Sequence, residues 1–231
     1  MPCRWDARNS SKITAQSHTS SLESRGTMAQ SVADPAGTLA YFAGGVLAWT
    51  LLEWLLHGQV FHSRRLRNPF AKEHALHHAN LLHIVGWPRK LLTLAFVVVT
   101  LIVLLRLALG HFDAVAFPCG LGLAYVAYEA LHRIIHLRPP RTAYGRWMRL
   151  HHTQHHFHTP RQNFGVTTTA WDRVFGTYEP FETPLAVPER HAMPWLFDPE
   201  TGQLADAFAE DYVLVRRVRD VRDSAAPSSP R

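Results

Sequence analysis

Cysteine is scarce: the 231 residues contain two, Cys3 and Cys119. The first lies in a polar stretch and the second in an apolar one, so neither a disulfide framework nor a thiolate metal site is indicated. A Gly-x-x-x-x-Gly-Lys phosphate loop, a Cys-x-x-Cys pair and a Gly-x-Ser-x-Gly nucleophile turn are missing as well. Gly120-x-Gly122 begins like a dinucleotide fingerprint, but Tyr125 follows and the segment reads as an apolar helix, not a strand-to-helix turn. Polar groups are rare in the middle of the apolar runs. A membrane metal transporter or sensor needs such groups along its path, so that class is disfavoured.

Acidic residues are outnumbered, 18 against 24 Lys and Arg, for a formal charge of +6. The excess does not point to nucleic acid, because Arg64, Arg65, Arg67, Lys72, Arg89 and Lys90 flank apolar runs. That placement is what the positive-inside rule expects of cytoplasmic loops. Residues 91 to 109 carry a single charge, Arg106. At about 1.5 Å per residue such a run approaches the roughly 30 Å of a bilayer core. Residues 38 to 57, interrupted by Glu53, and residues 114 to 131 are similar. The expected fold is an all-α integral membrane bundle of three spans, with four as the alternative, and residues 110 to 113 turn a helical hairpin on the non-cytoplasmic side. Gly44, Gly45, Pro118, Gly120 and Gly122 are tolerable where membrane helices approach closely.

Histidine is abundant, at 16 residues, and ten fall into four clusters: His57 and His62; His74, His77 and His78; His132 and His136; His152, His155 and His156. Residues three and four apart share a helix face, so the last three clusters each present a stripe of imidazoles. Imidazole nitrogen ligates Zn, Fe, Cu and Ni alike. Ten such ligands exceed the need of one ion. Positions 57 and 62 lie about 140° apart on an α-helix. The chain must therefore change course between them, and a left-handed turn at Gly58 is the expected device. If the clusters meet, the span ends near His57, Arg89 and His132 share one membrane face, the cytoplasmic one. The result is a histidine-rich helical cap holding a two-metal centre.

Around these ligands, His151 and His158 are close enough in sequence to replace a nominal one, whereas His18, His83, His111 and His191 lie outside the clusters. Glu53 precedes His57 by four residues and Glu129 precedes His132 by three, so each is placed to orient an imidazole through its other nitrogen. Asn163 and Asp172 are placed to fix the loop after the last cluster. Residues 1 to 35 are expected to be a disordered tail without a signal peptide, with Met28 a plausible start. Residues 36 to 200 form the membrane unit, ending in a Pro-rich wrap from 178. An amphipathic helix is expected over 201 to 223, on the pattern of residues 204 to 221, before a disordered tail over 224 to 231.

The order H-x4-H, H-x2-H-H, H-x3-H, H-x2-H-H, with NFG and WDRVFGT after the last cluster, resembles the membrane fatty acid hydroxylase and sterol desaturase superfamily over residues 49 to 177. The H-x4-H of His57 and His62 is similar to the fatty acid 2-hydroxylase branch. Sterol desaturases usually have three residues there, and carotenoid hydroxylases tend to have four within the third pair, where this chain has three. The resemblance implies an iron-dependent mixed-function oxygenase acting on a lipid, with the ten clustered histidines as ligands of two iron ions, zinc being an alternative in isolated protein. It implies O₂ as co-substrate and fatty acyl 2-hydroxylation as the reaction, with sterol or carotenoid oxidation the alternative. Residues 1 to 35 are too short for a fused cytochrome b5-like donor, so a separate one, cytochrome b5-like or ferredoxin-like, is expected.

Overall fold

A computed structural model of the chain describes residues 34–63, 68–110 and 115–216. The expected N-terminal tail up to residue 33, the arginines at 64, 65 and 67, the hairpin turn at 111–113 and everything after 216 lie outside the described residues.

The described chain is mostly helical. Helix α1 (Pro35–Leu55) opens on Asp34, whose carboxylate accepts from the backbone N–H groups of Ala36 and Gly37, with proline at the first helical position. It runs on as a π-helical turn over Leu56–Phe61. Helix α2 (Pro69–Ala79) uses the same device: Asn68 accepts from Ala71 N–H at 2.8 Å. Then come α3 (Trp87–Leu109), ended by left-handed Gly110 at φ 73°, and α4 (Ala116–Leu137). Pro139 and Pro140 stop α4, because a residue before proline avoids the helical region. Thr142 caps the start of α5 (Ala143–Phe157), and α6 (Ala170–Val174) is a single short turn.

Helices α1 and α4 pack backbone to backbone. A Cβ at Gly45 would stand 2.0 Å from the Phe117 carbonyl oxygen, and one at Gly120 would stand 2.1 Å from that of Phe42. The two glycines let the axes close, as small residues do between membrane helices. Helix α3 touches α4 at Gly122, opposite Val98, yet buries none of its own residues. With a mean hydropathy of 2.7 over its apolar stretch and none of that stretch buried, it leaves most of its apolar surface uncovered by protein. Such a surface is stable in hydrocarbon, not in water. By length and composition α3 and the continuous helix Pro35–Phe61 can each cross a membrane.

Beyond α6 the described residues hold three short 3₁₀ turns and two strands but no further α-helix. Strand β1 (Leu185–Pro188) pairs in parallel with β2 (Tyr212–Val215), with Leu185 opposite Tyr212. The strands close a cap core of Leu81, Leu150, Leu185, Val187, Leu196 and Tyr212. This corrects two expectations. The described fold is not all-α, and residues 204 to 216 form a bridge from Leu204 to Phe197, a short 3₁₀ turn and β2, not an amphipathic helix. The Tyr-Val-Leu-Val run suits a strand, and pairing with β1 buries Tyr212 in the cap core, an outcome helical spacing could not anticipate.

Candidate metal centre

The ten clustered histidines converge into two groups of five. His57, His62, His74, His78 and His155 form one; His77, His132, His136, His152 and His156 form the other. Within each group all ligand atoms lie within 4.8 Å of one another. The pairs four residues apart on a helix stay together: His74 with His78, His132 with His136, His152 with His156. Residues His77 and His155, three from a neighbouring box member, go to the opposite group.

His57 and His62 are joined differently from expectation. The turn between them is π-helical, with His62 N–H donating to the His57 carbonyl at 3.2 Å, and this five-residue closure brings both rings to one side. Gly58 is not left-handed. Its place is explained by crowding: a Cβ there would sit 3.0 Å from the Phe164 ring.

In the first group, Nε2 atoms lie 3.1 Å apart for His57 and His74, 2.9 Å for His74 and His62, and 3.2 Å for His155 and His78. In the second, His77 stands 3.1 Å from both His132 and His136, and His156 stands 2.9 Å from His152. One nitrogen cannot hydrogen-bond several such neighbours, since a neutral imidazole carries one N–H. An ion about 2.1 Å from each nitrogen places adjacent donors at right angles about 3 Å apart, so the spacing fits metal ligation.

Three of the opposite nitrogens are tied down, while those of His136 and His156 are buried without a partner. His57 Nδ1 donates to the Phe164 carbonyl at 2.5 Å, His155 Nδ1 to that of Gln162 at 2.7 Å and His77 Nδ1 to that of His83 at 3.2 Å. Each bond leaves Nε2 as the lone-pair donor facing the group. Burial reinforces this: it holds His62 and His77 at about 4 and His78 at about 2, against an ordinary 6.5. His74, His152, His155 and His156 are lowered too, first by burial and then by neighbouring imidazoles. The donors are neutral at physiological pH, as ligation requires.

The remaining candidates fall elsewhere. His151 is stacked between Trp147 and Tyr178, and His158 donates to the Ala186 carbonyl at 3.0 Å, so neither joins a group. Glu129 pairs with Lys90, not with an imidazole, and Glu53 accepts from the backbone of Val166 and Thr167 and from the Thr167 hydroxyl. Asp172 and Asn163 do fix the loop after the last cluster. Asp172 accepts from Phe164 N–H at 2.9 Å and Gly165 N–H at 2.8 Å, while Asn163 exchanges two bonds with the Glu179 backbone.

Sequence reasoning missed Arg149. Nearly fully buried, it donates to the carbonyls of Ile134, Arg138 and Gly145, tying the last turn of α4 to α5 and hence the third cluster to the fourth. Its signal was faint: a cation one helical turn before His152 on the buried stripe. The carbonyls of Gln162, Phe164 and His83 carry no side-chain signal.

Fold and site together define a membrane protein with a histidine-built metal-binding site. The chain belongs to the fatty acid hydroxylase family, whose profile matches residues 42–177. It is 33% identical to a dihydroceramide fatty acyl 2-hydroxylase of Arabidopsis thaliana, over 58% of this chain and 59% of that one. It is also 33% identical to a fatty acid 2-hydroxylase of Rattus norvegicus (62% of this chain, 41% of that one). A ceramide very long chain fatty acid hydroxylase of Schizosaccharomyces pombe is 32% identical, over 62% and 43% of the two chains. A solved structure of full-length scs7p with only its hydroxylase domain visible superposes with a TM-score of 0.51 at 25% identity, covering 64% of this chain and 58% of that one. The chain thus spans between 41% and 59% of these three sequence relatives.

Proposed function

We propose that the chain hydroxylates a long acyl chain of a membrane lipid at the carbon next to the carbonyl. One oxygen atom of O₂ enters the C–H bond to give C–OH, and the other leaves as water with two electrons and two protons. Two iron ions held by the ten histidines, with zinc a substitute in isolated protein, would supply the activation of O₂ that an unactivated C–H bond requires. The observation that carries the reading is the pair of five-imidazole groups, and the relatives named as 2-hydroxylases support it.

The chain's own residues do the rest. Buried, neutral imidazoles offer Nε2, and backbone carbonyls fix the tautomer of His57, His77 and His155. Trp87, half-buried at the start of α3, supports a bilayer boundary at that level, where indoles are favoured. A lipid with its head in water and its chain in hydrocarbon presents its first carbons at that level. The reading has three crossings with the histidines on the cytoplasmic face, and the basic residues Lys72, Arg89 and Lys90 beside the histidine clusters support it. Electrons come from a separate cytochrome b5-like or ferredoxin-like partner.

Expression in a host lacking 2-hydroxy lipids tests the reading. Extracts should gain 2-hydroxy acyl chains that vanish in His155→Ala. A product hydroxylated only on a sterol nucleus or carotenoid ring contradicts it.

A further inference from the structure

We infer that Glu53 and Asp172 are positioning residues for the metal held by the first histidine group, acting through the loop 162–167 and not through any imidazole. The inference rests on the two-centre reading above.

The loop supplies two of the group's anchors: Gln162 O receives His155 Nδ1–H, and Phe164 O receives His57 Nδ1–H. No other part of the chain offers these rings a fixed acceptor among the described hydrogen bonds. The four backbone N–H groups that follow Asn163 are all taken by two carboxylates. Asp172 holds those of Phe164 and Gly165, and Glu53 holds those of Val166 and Thr167. Glu53 also takes the Thr167 hydroxyl, and Asp172 that of Thr177, which in turn accepts from Trp54 Nε1 at 3.0 Å. Both carboxylates are buried, at 3% and 0% exposure. Residue Phe164 is therefore held on both sides: its N–H by Asp172, its carbonyl by His57.

Asn163 completes the platform. It has a left-handed backbone, φ 59°, and both ends of its side-chain amide are bonded to the Glu179 backbone. Asparagine is among the residues that tolerate this conformation. Gly165 leaves no freedom either, since a Cβ there would stand 2.0 Å from the Thr168 carbonyl oxygen. The loop is thus fixed relative to α1 by Glu53 and relative to α6 by Asp172. The second histidine group takes its described anchor from elsewhere, the His83 carbonyl on His77.

An acceptor that orients a metal-bound histidine commonly changes metal affinity 10- to 100-fold when altered. A Glu53→Gln or Asp172→Asn substitution keeps side-chain volume while removing the charge that gathers the N–H groups. The test uses the full chain in detergent, loaded with zinc and challenged with graded chelator, alongside thermal unfolding. Arg146→Ala serves as control, because Arg146 braces Asp211 in the cap, away from the histidines. Glu53→Gln and Asp172→Asn should each release one zinc ion at a chelator concentration about 10- to 100-fold lower than wild type, with the other ion unchanged. Arg146→Ala, even with an equal loss of thermal stability, should release neither early. Variants that keep wild-type affinity at both centres overturn the inference and leave the two-centre reading intact. So does equal weakening at both centres in step with unfolding, the mark of a purely structural role. A wild-type chain that holds a single ion overturns the two-centre reading, and the assignment of the loop to one centre falls with it.

Discussion

The Nε2 atoms of His62 and His155 lie 3.1 Å apart, although 93 positions separate them in the chain. His155 donates its Nδ1–H to the Gln162 carbonyl, so its Nε2 carries a lone pair at neutral pH. With five such nitrogens within 4.8 Å of one another, the group suits a cation among them better than a set of hydrogen bonds. Chelation of the bound ions should therefore lower the midpoint of thermal unfolding, and returning Zn²⁺ or Fe²⁺ should restore it. An ion at a hundred times its Kd stabilises by about 2.7 kcal/mol. A midpoint indifferent to chelator would contradict this.

His151 and His158 stand beside the ligands in sequence but outside both groups. His151→Phe, which preserves the stack between Trp147 and Tyr178, should retain both ions by elemental analysis. His155→Ala should lose one. The reverse pattern would show that the ligand set is misassigned.

Acid should act on the metal-free chain through the buried imidazoles. His62 and His77 sit near 4 when folded, below the ordinary 6.5. Between those values the unfolded chain binds more protons, so stability rises with pH across the window, is flat above it, and is lost as pH falls toward 4. Denaturant midpoints measured from pH 4 to 8 check the sign. A midpoint that rose on acidification would refute it.

Gly44 and Gly45 look alike in sequence but not in the packed helices. The nearest atom to a Cβ at Gly44 is in the Phe117 ring, 3.7 Å away, whereas at Gly45 it is a backbone oxygen at 2.0 Å. Gly44→Ala should be close to neutral. Gly45→Ala should cost about 1–3 kcal/mol or more, because α1 and α4 must separate. Thermal unfolding of the two purified variants compares them; equal stability would remove the close approach from the account.

Topology is open to labelling. In a chain with Cys3 and Cys119 replaced by serine, a cysteine at Leu109 should react only from the non-cytoplasmic side and one at Asn80 only from the cytoplasm. Reaction of position 109 from the cytoplasm would reverse the arrangement.

The ten clustered histidines were legible because spacing on a helix decides which rings share a face, and His18, His83, His111 and His191 lacked that spacing. Their division into two groups was not, since it depends on how four helix ends meet. A change of course at Gly58 was expected between His57 and His62; a π-helical turn in a continuous helix joins them instead, and composition does not tell the two apart. Glu53 and Glu129 were matched to their helical neighbours. Burial instead sent Glu53 to a loop 113 positions away at Val166 and Glu129 to Lys90, 39 positions away. Strand β2 was hidden for a similar reason: Tyr212 finds its partner at Leu185, and pairing across that distance leaves no local period.

Growth of expressing cells under ¹⁸O₂, followed by mass spectrometry of the released acyl chains, tests the central claim most directly. The account predicts one ¹⁸O atom in a hydroxyl at the carbon next to the carbonyl, absent in His155→Ala. Unlabelled hydroxyl oxygen, or label only at another position or in another lipid class, would contradict it.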